Sequence, residues 1–160
     1  MSIEIVDMLS KKTKYALKAL TYLASQSPDE PVLISELARE EAIPRKFLEA
    51  ILLTLKNSGV LHSKIGKGGG YFLSREPRNI TIGSIVKILE GGYAPVQCLN
   101  ESVVQGCDEC GDPSSCGIRL VMSDVMQSMA AVLETTTLAD MIERSDNAER
   151  TRSKIVDFSI

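Results

Sequence analysis

The stretch that decides the fold is ISELAREEAIPRKFLEAILLTLKNSGVLHSKIGKGGGYFL, residues 34–73. Its first half predicts two short helices joined by a tight turn. Ser35 is placed to cap the first helix, over residues 36–41, and Pro44 stands at the start of the second, over residues 45–58. Basic residues at the start of the second helix fit a helix-turn-helix, in which that end enters the major groove of DNA.

The second half of the stretch predicts a basic β-hairpin directly after this reading helix. Gly59 can end the helix, and residues 60–65 and 71–74 are typical of short strands around the glycine-rich tip, residues 66–70. This is the pattern of a winged helix. A nucleotide-phosphate loop is the competing interpretation, but the tip lacks Walker spacing and a Ser or Thr after its lysine. A purely structural hairpin is the other alternative.

Lysines and glycines on these elements predict where DNA would bind. Lysines also crowd the start of an earlier helix that Ser10 can cap, where a phosphate partner would complement them and a solvated lysine face is the alternative. Glycines let the wing tip lie close to a groove. The predicted DNA-contacting residues are Lys11, Lys14, Arg45, Lys46, Lys64, Lys67, Gly68 and Gly69.

Charge is distributed unevenly along the chain, although the formal net charge is only −3. Residues 9–78 carry twelve Lys and Arg against seven Asp and Glu, whereas residues 79–160 carry six against twelve. A basic head on an acidic body favours a polyanion as the partner of the head.

A long apolar stripe near the C-terminus predicts a dimerisation helix. It begins after Gly117, and its predicted interface residues recur at three- and four-residue spacing. They are Ile118, Val121, Met122, Val125, Met129 and Val132. Packing of this stripe on the head within one chain is the alternative.

We therefore expect a mainly α fold with a small β-hairpin wing, made of a winged helix-turn-helix head and a long dimerisation helix. The predicted units are the head, a cysteine-rich loop, the dimerisation helix with a short last helix, and a mobile polar tail. Their bounds are residues 9–92, 93–117, 118–144 and 145–160. The last helix is expected over residues 138–144.

All four cysteines lie in the predicted loop, as Cys98, Cys107, Cys110 and Cys116. The chain shows no signal segment and no apolar run of membrane-spanning length, which predicts a cytoplasmic protein without a membrane partner. Clustered cysteines in a reducing compartment are more often metal ligands, or thiols that are redox-active or without a role, than a disulfide framework. Thiolates suit iron–sulfur clusters and zinc equally well, so both metals stay open at this point.

From residue 9 to about 143 the chain resembles the bacterial winged-helix iron–sulfur cluster regulators and nitric-oxide-sensing repressors, the IscR/NsrR-like family. The resemblance rests on LSKKTKYALK at the first helix, ISELA and IPRKFLEAIL on the reading helices, GKGGGYFL on the wing and CGIRLVM before the long helix. It implies a homodimeric transcription regulator, a repressor in many relatives, whose cluster state changes its affinity for an operator in double-stranded DNA.

The resemblance also implies a ligand set, from which this chain departs. Cluster-bearing relatives use three cysteines spaced C-x5-C-x5-C and one other ligand, and here only Cys110 and Cys116 keep that interval. Arg119 stands where relatives place a histidine, and Lys14 where another branch uses an acid. Four thiolates are then the simplest complete set for a [2Fe–2S] or [4Fe–4S] cluster. Relatives often carry an arginine where this wing has Ile65.

Two functions from different classes follow. The first is a cluster-sensing transcription regulator that performs no catalysis. The second is a zinc-stapled structural or protein-interaction module with a winged-helix fold. An enzyme is disfavoured, because the single histidine, His62, lies in the predicted wing and no Ser, His and acid set is visible.

Overall fold

The computed structural model describes residues 9–28, 30–100 and 112–157, with side chains to residue 153. Six α-helices and one hairpin follow one another in these ranges. They are α1 (Lys11–Ala24), α2 (Ile34–Glu40), α3 (Arg45–Asn57), β1 (Leu61–Lys64), β2 (Gly70–Leu73), α4 (Ile82–Glu90), α5 (Gly117–Thr135) and α6 (Leu138–Asp157). Short 3-10 turns cover Pro77–Asn79 and Gln97–Leu99. None of the described helices is long and apolar enough to cross a bilayer.

The core lies between α1, α2 and α3, where leucines at helical spacing meet. Leu20, Leu37 and Leu52 are fully buried there. Leu138, the first residue of α6, is also fully buried in this cluster. The head and the start of α6 therefore share one core, although the sequence predicted them to be separate units.

The helix-turn-helix forms as predicted, with a different cap and an unexpected turn. Leu33 rather than Ser35 is the N-cap of α2, so this helix starts two residues before the predicted position. Ala42, in the turn before α3, has a φ of 52°, the left-handed region that an alanine adopts only at a cost. The amide of Ile43 donates to the carbonyl of Ala38 (3.0 Å) and closes the turn.

The hairpin is joined to the helix-turn-helix through Val32. Strands β1 and β2 are antiparallel, and Ser63 pairs with Tyr71. Val32 and Tyr71 exchange two backbone hydrogen bonds of 2.9 Å. Gly70, with a φ of 151°, allows this approach, since a Cβ there would lie 2.2 Å from the carbonyl oxygen of Val32. Val32, two residues before the start of α2, thus ties the wing to that helix.

Helix α4 has Thr81 as its N-cap and Gly91, in the left-handed region, at its C-cap. Helix α6 differs from the prediction. It runs to Asp157, so the prediction that the last helix ends at residue 144 was wrong, while the mobility of the tail stays a prediction. The segment lacks an apolar stripe, but its Glu, Arg and Ala residues favour helix by propensity.

Candidate nucleic-acid interface and cysteine segment

The two basic residues that open α3 are exposed, as a reading helix requires. Arg45 and Lys46 occupy its first turn. The Nε of Arg45 donates to the Oε1 of Glu49 one turn later, at 3.1 Å. Because both side chains are at least half exposed, this ion pair is weak and a phosphate or base edge can replace Glu49 as the partner of Arg45.

The wing tip presents charge on a compact turn. Lys64 ends β1 and Lys67 lies in the tip, and both side chains are exposed. The amide of Gly69 donates to the carbonyl of Gly66 (2.9 Å), which folds the tip back on itself. Gly69 is buried in this turn, where a Cβ would lie 2.4 Å from the Lys64 carbonyl oxygen, so its contribution is to the shape of the tip. Gly68 is exposed.

The N-terminus of α1 already has an anionic partner within the chain. Ser10 caps the helix by accepting from the amide of Thr13, and the carboxylate of Glu90 accepts from the Ser10 amide (2.9 Å), the Ser10 hydroxyl (2.6 Å) and the Thr13 hydroxyl (2.5 Å). Burial works to raise the pKa of Glu90, but these hydrogen bonds and the charge of Lys12 hold it below its ordinary value. Glu90 thus supplies negative charge at this helix N-terminus, for which we had considered a phosphate partner or a solvated lysine face. Contacts of Lys11 and Lys14 with DNA remain predictions.

Helix α5 packs on α4 by one face and exposes the other. A Cβ on Gly83 would meet the backbone of Leu133 at 3.0 Å, so the two helices are in close contact. Glu134 accepts from Lys87 and from the hydroxyl of Tyr93. The hydrogen bond from Lys87 holds the pKa of Glu134 below its usual value, and the bond to Glu134 raises the pKa of Lys87.

The predicted dimer residues lie on the exposed part of α5. Ile118 is 70% exposed and Val121, Val125 and Val132 are also exposed, while Met122 and Met129 are half-buried. Leu120 is exposed as well and was not in the predicted set. Within the described chain, therefore, nothing covers this apolar face, as expected if its partner is another molecule.

Two of the four cysteines fall in the described residues, and both are next to α5. Cys98 lies in the 3-10 turn Gln97–Leu99, which contacts α5, and Cys116 is the N-cap of α5. Both are half-buried. Just before Cys116, the Asp112 carboxylate accepts from the amide and hydroxyl of Ser114, which lowers the pKa of Asp112. Cys107 and Cys110 lie outside the described residues.

Sequence reasoning missed Glu90 and the Lys87–Glu134 pair, because each contact joins residues far apart in the chain. No group of three His, Cys, Asp or Glu side chains in the described ranges is arranged to hold a metal. The only histidine, His62, is on β1 beside Phe72 in the wing.

A helix-turn-helix followed by a basic wing defines the winged-helix class of DNA-binding regulators. The model of a family described as Rrf2, Iron-dependent Transcriptional regulator, matches residues 9–144. The chain belongs to this family. An rrf2-like HTH-type transcriptional regulator of Rhodobacter capsulatus is 40% identical over 146 residues, covering 89% of this chain and 97% of the relative.

Solved structures agree with this assignment. CymR of B. subtilis, described as its global cysteine regulator, superposes with a TM-score of 0.70 at 27% identity, over 88% of this chain and 98% of CymR. T. potens IscR gives 0.68 at 29% identity, over 88% and 89%. The predicted family, the winged-helix fold and the absence of an enzymatic function are confirmed, since these relatives are transcriptional regulators.

Proposed function

We infer that this regulator is a homodimer that binds an operator in double-stranded DNA, and that an iron–sulfur cluster controls its affinity. The proposed ligands are Cys98, Cys107, Cys110 and Cys116. The observation that carries this proposal is that Cys98 lies in a turn that contacts α5 and Cys116 is the N-cap of the same helix.

The DNA-binding part of the proposal is supported by the geometry of the head. The first turn of α3 would enter the major groove with Arg45 and Lys46. Lys64 and Lys67 on the wing would contact phosphates or the minor groove. Because Val32 joins the wing to the start of α2, the two basic surfaces have a fixed relation and can bind one stretch of duplex together.

Dimerisation is supported by the exposed face of α5. Ile118, Val121 and Val125 expose their side chains on neighbouring turns of one helix. A contiguous apolar surface of this kind is unfavourable in water and is typical of a subunit interface. In a dimer, the same face of a second copy would cover this surface, as a two-fold interface requires.

The cysteine set fits an iron–sulfur cluster by donor chemistry. Four thiolates are the usual ligands of [2Fe–2S] and [4Fe–4S] clusters, and the single histidine of the chain, His62, lies in the wing. When bound, such a cluster supplies a centre that reacts with oxygen, nitric oxide or oxidants. The chain contributes the anchoring, since bonds to Cys98 and Cys116 would tie the intervening loop to α5 at both ends.

Ligation can then alter DNA binding through α5. The start of α5 would be ordered by the bond to Cys116, and its end is fixed to the head beside Thr137. We expect cluster loss to change operator affinity by about 1–3 kcal/mol, the usual range of a coupling free energy.

Anaerobic purification tests this proposal. The expected protein is brown, with visible charge-transfer absorption, iron and sulfide in cluster stoichiometry, and an operator affinity that changes when nitric oxide or oxygen destroys the cluster. Cys116→Ala should be colourless, with Ser114→Ala as a nearby control that keeps the colour. Colourless wild-type protein with stoichiometric zinc would instead favour the zinc-stapled structural module, since four thiolates suit zinc as well. We place the activity in the cytoplasm, with the operator DNA.

A further inference from the structure

The tip of the wing carries only two side chains beyond glycine, one cationic and one apolar. Between the end of β1 and the start of β2 lie Ile65, Gly66, Lys67, Gly68 and Gly69. Ile65 is 93% exposed, the most exposed large hydrophobic residue in the described chain. The chemistry of the tip is therefore one branched alkyl group and one ammonium group.

Single exposed apolar residues are common on protein surfaces, so the exposure of Ile65 alone would be weak evidence for a function. The surroundings of Ile65 separate it from such cases. It stands at the tip of the wing hairpin, between two exposed lysines in sequence. Glycines follow it on a turn closed by the Gly69–Gly66 hydrogen bond. Gly66, the next residue, has no side chain that could keep another surface from approaching Ile65.

We propose that Ile65 is an apolar wedge that enters the minor groove and opens a base step of the operator. This inference rests on the proposed DNA-binding function and adds a residue that determines specificity. Proteins that bind the minor groove often insert an isoleucine, leucine or phenylalanine between base pairs, which unstacks the step and bends the duplex. Lys64 and Lys67 supply attraction to the phosphates on either side.

With such a wedge, part of the protein's sequence specificity would depend on how easily the DNA deforms under the wing. Pyrimidine–purine steps such as TA unstack more readily than others, so a wedge favours operators that carry such a step under the wing. Sequence would be selected there without a hydrogen bond to a base. The reading helix would select bases in the major groove independently.

The test uses an operator that the wild-type protein selects from a random duplex library. The selection is carried out with the anaerobically purified protein and again with the protein after metal removal. Copies of the duplex carry 2-aminopurine at successive steps under the wing, where fluorescence rises on unstacking. The variants are Ile65→Ala, Ile65→Arg and Lys67→Ala. Thermal unfolding serves as the folding control, because Ile65 is almost wholly exposed and its truncation should leave stability unchanged.

The wild type should raise the fluorescence at one step. Ile65→Ala should abolish that rise and weaken operator binding about tenfold, while leaving the salt dependence unchanged. Lys67→Ala should reduce the salt slope by about one. Ile65→Arg should steepen the salt slope and still fail to unstack the step.

Equal affinity and equal fluorescence for Ile65→Ala and wild type would overturn the wedge, even if DNA binding itself is sound. If Ile65→Ala no longer binds a partner protein but binds the operator as tightly as the wild type, the wedge proposal would be overturned as well. A wild-type protein that selects no sequence from the library would remove the proposed DNA-binding function and the wedge together, so the two failures are distinguishable.

Discussion

The hydroxyl of Thr13 donates to the carboxylate of Glu90 at 2.5 Å, across 77 residues of chain. Thr13 is the only buried polar residue among those described, and Glu90 is the last residue of α4, directly before the segment that leads to the cysteines. This contact joins the start of α1, with its cluster of lysines, to the start of the proposed sensing segment.

Glu90→Ala should lower the free energy of unfolding by about 1–3 kcal/mol, because the buried Thr13 hydroxyl loses its partner. Glu90→Gln is the matched control and should cost less, since an amide oxygen still accepts. The pKa of Glu90 is held low in the fold, so its charge stabilises the protein above the ordinary glutamate pKa of about 4.3, and this stabilisation is lost as the pH falls through the folded value. In denaturant unfolding, the free energy of unfolding should be higher for the wild type than for Glu90→Gln. This difference should be largest at pH 7 and should shrink below about pH 4.

Lys64→Ala should weaken binding to all duplexes alike and reduce the slope of log affinity against log salt by about one. Lys56→Ala, an exposed lysine in the last turn of α3, is the control and should change little. Fluorescence anisotropy at several salt concentrations measures both. Identical slopes for Lys64→Ala and wild type would place the wing away from the DNA.

Val125→Asp should separate the dimer. A charge at the centre of the apolar face of α5 would be buried without a partner, at a cost of about 3–5 kcal/mol. Gln127→Glu puts a charge on the side of α5 that faces α4 and should leave the dimer intact. Sedimentation velocity distinguishes them, and a folded wild type that sediments as a monomer would contradict the proposed interface.

Cys98→Ala should abolish the cluster, as should Cys107→Ala, Cys110→Ala and Cys116→Ala, because the four thiolates are proposed to form the whole ligand set. Iron and sulfide analysis of anaerobically purified variants provides the measurement. A full cluster in Cys98→Ala would place the fourth ligand elsewhere, with the acids of the loop or of a partner subunit as the next candidates.

Gly83→Ala should destabilise the protein by about 1–3 kcal/mol, the usual cost of overpacking, because the added Cβ meets the backbone of α5 at 3.0 Å. Gly117→Ala is matched in chemistry but has no atom within 4 Å of the new Cβ, so it should be neutral or slightly stabilising. Thermal unfolding of both variants tests how tightly α4 and α5 pack.

The head was predictable because its signals are local. Pro44 and Gly59 at the two ends of α3 and the glycine-rich tip of the wing each act within a few residues, and the structure has them where the sequence predicts. The start of α2 was misplaced because Ser35 is a good cap by type, whereas the bridge between Val32 and Tyr71 brings the helix start forward to Leu33 and Ile34. That bridge depends on a strand nearly forty residues later.

The site was less predictable than the fold. The lysines and the arginine that would contact DNA could be proposed from their places in the sequence pattern. The partner of the α1 N-terminus could not be predicted, since Glu90 reaches it only after the helices pack. The length of α6 was missed because its outer half has no apolar pattern. Its first residue, Leu138, is buried, and the helix extends from that anchor by propensity.

The joint between α5 and α6 has a mechanical consequence. The amide of Ile82 donates to the carbonyl of Thr136 and the amide of Leu138 donates to the carbonyl of Ile80, both at 2.8 Å, so the end of α5 is fixed to the head at two points. A helix of 19 residues is about 28 Å long at 1.5 Å per residue. If α5 rotates by about 10° around its N-terminal end, next to Cys116, its C-terminal end moves by about 5 Å, and the head moves with it. Since the half-sites of an operator lie about 34 Å apart, a small tilt of α5 near Cys116 would be enough to bring the two heads of the proposed dimer into or out of register with the DNA.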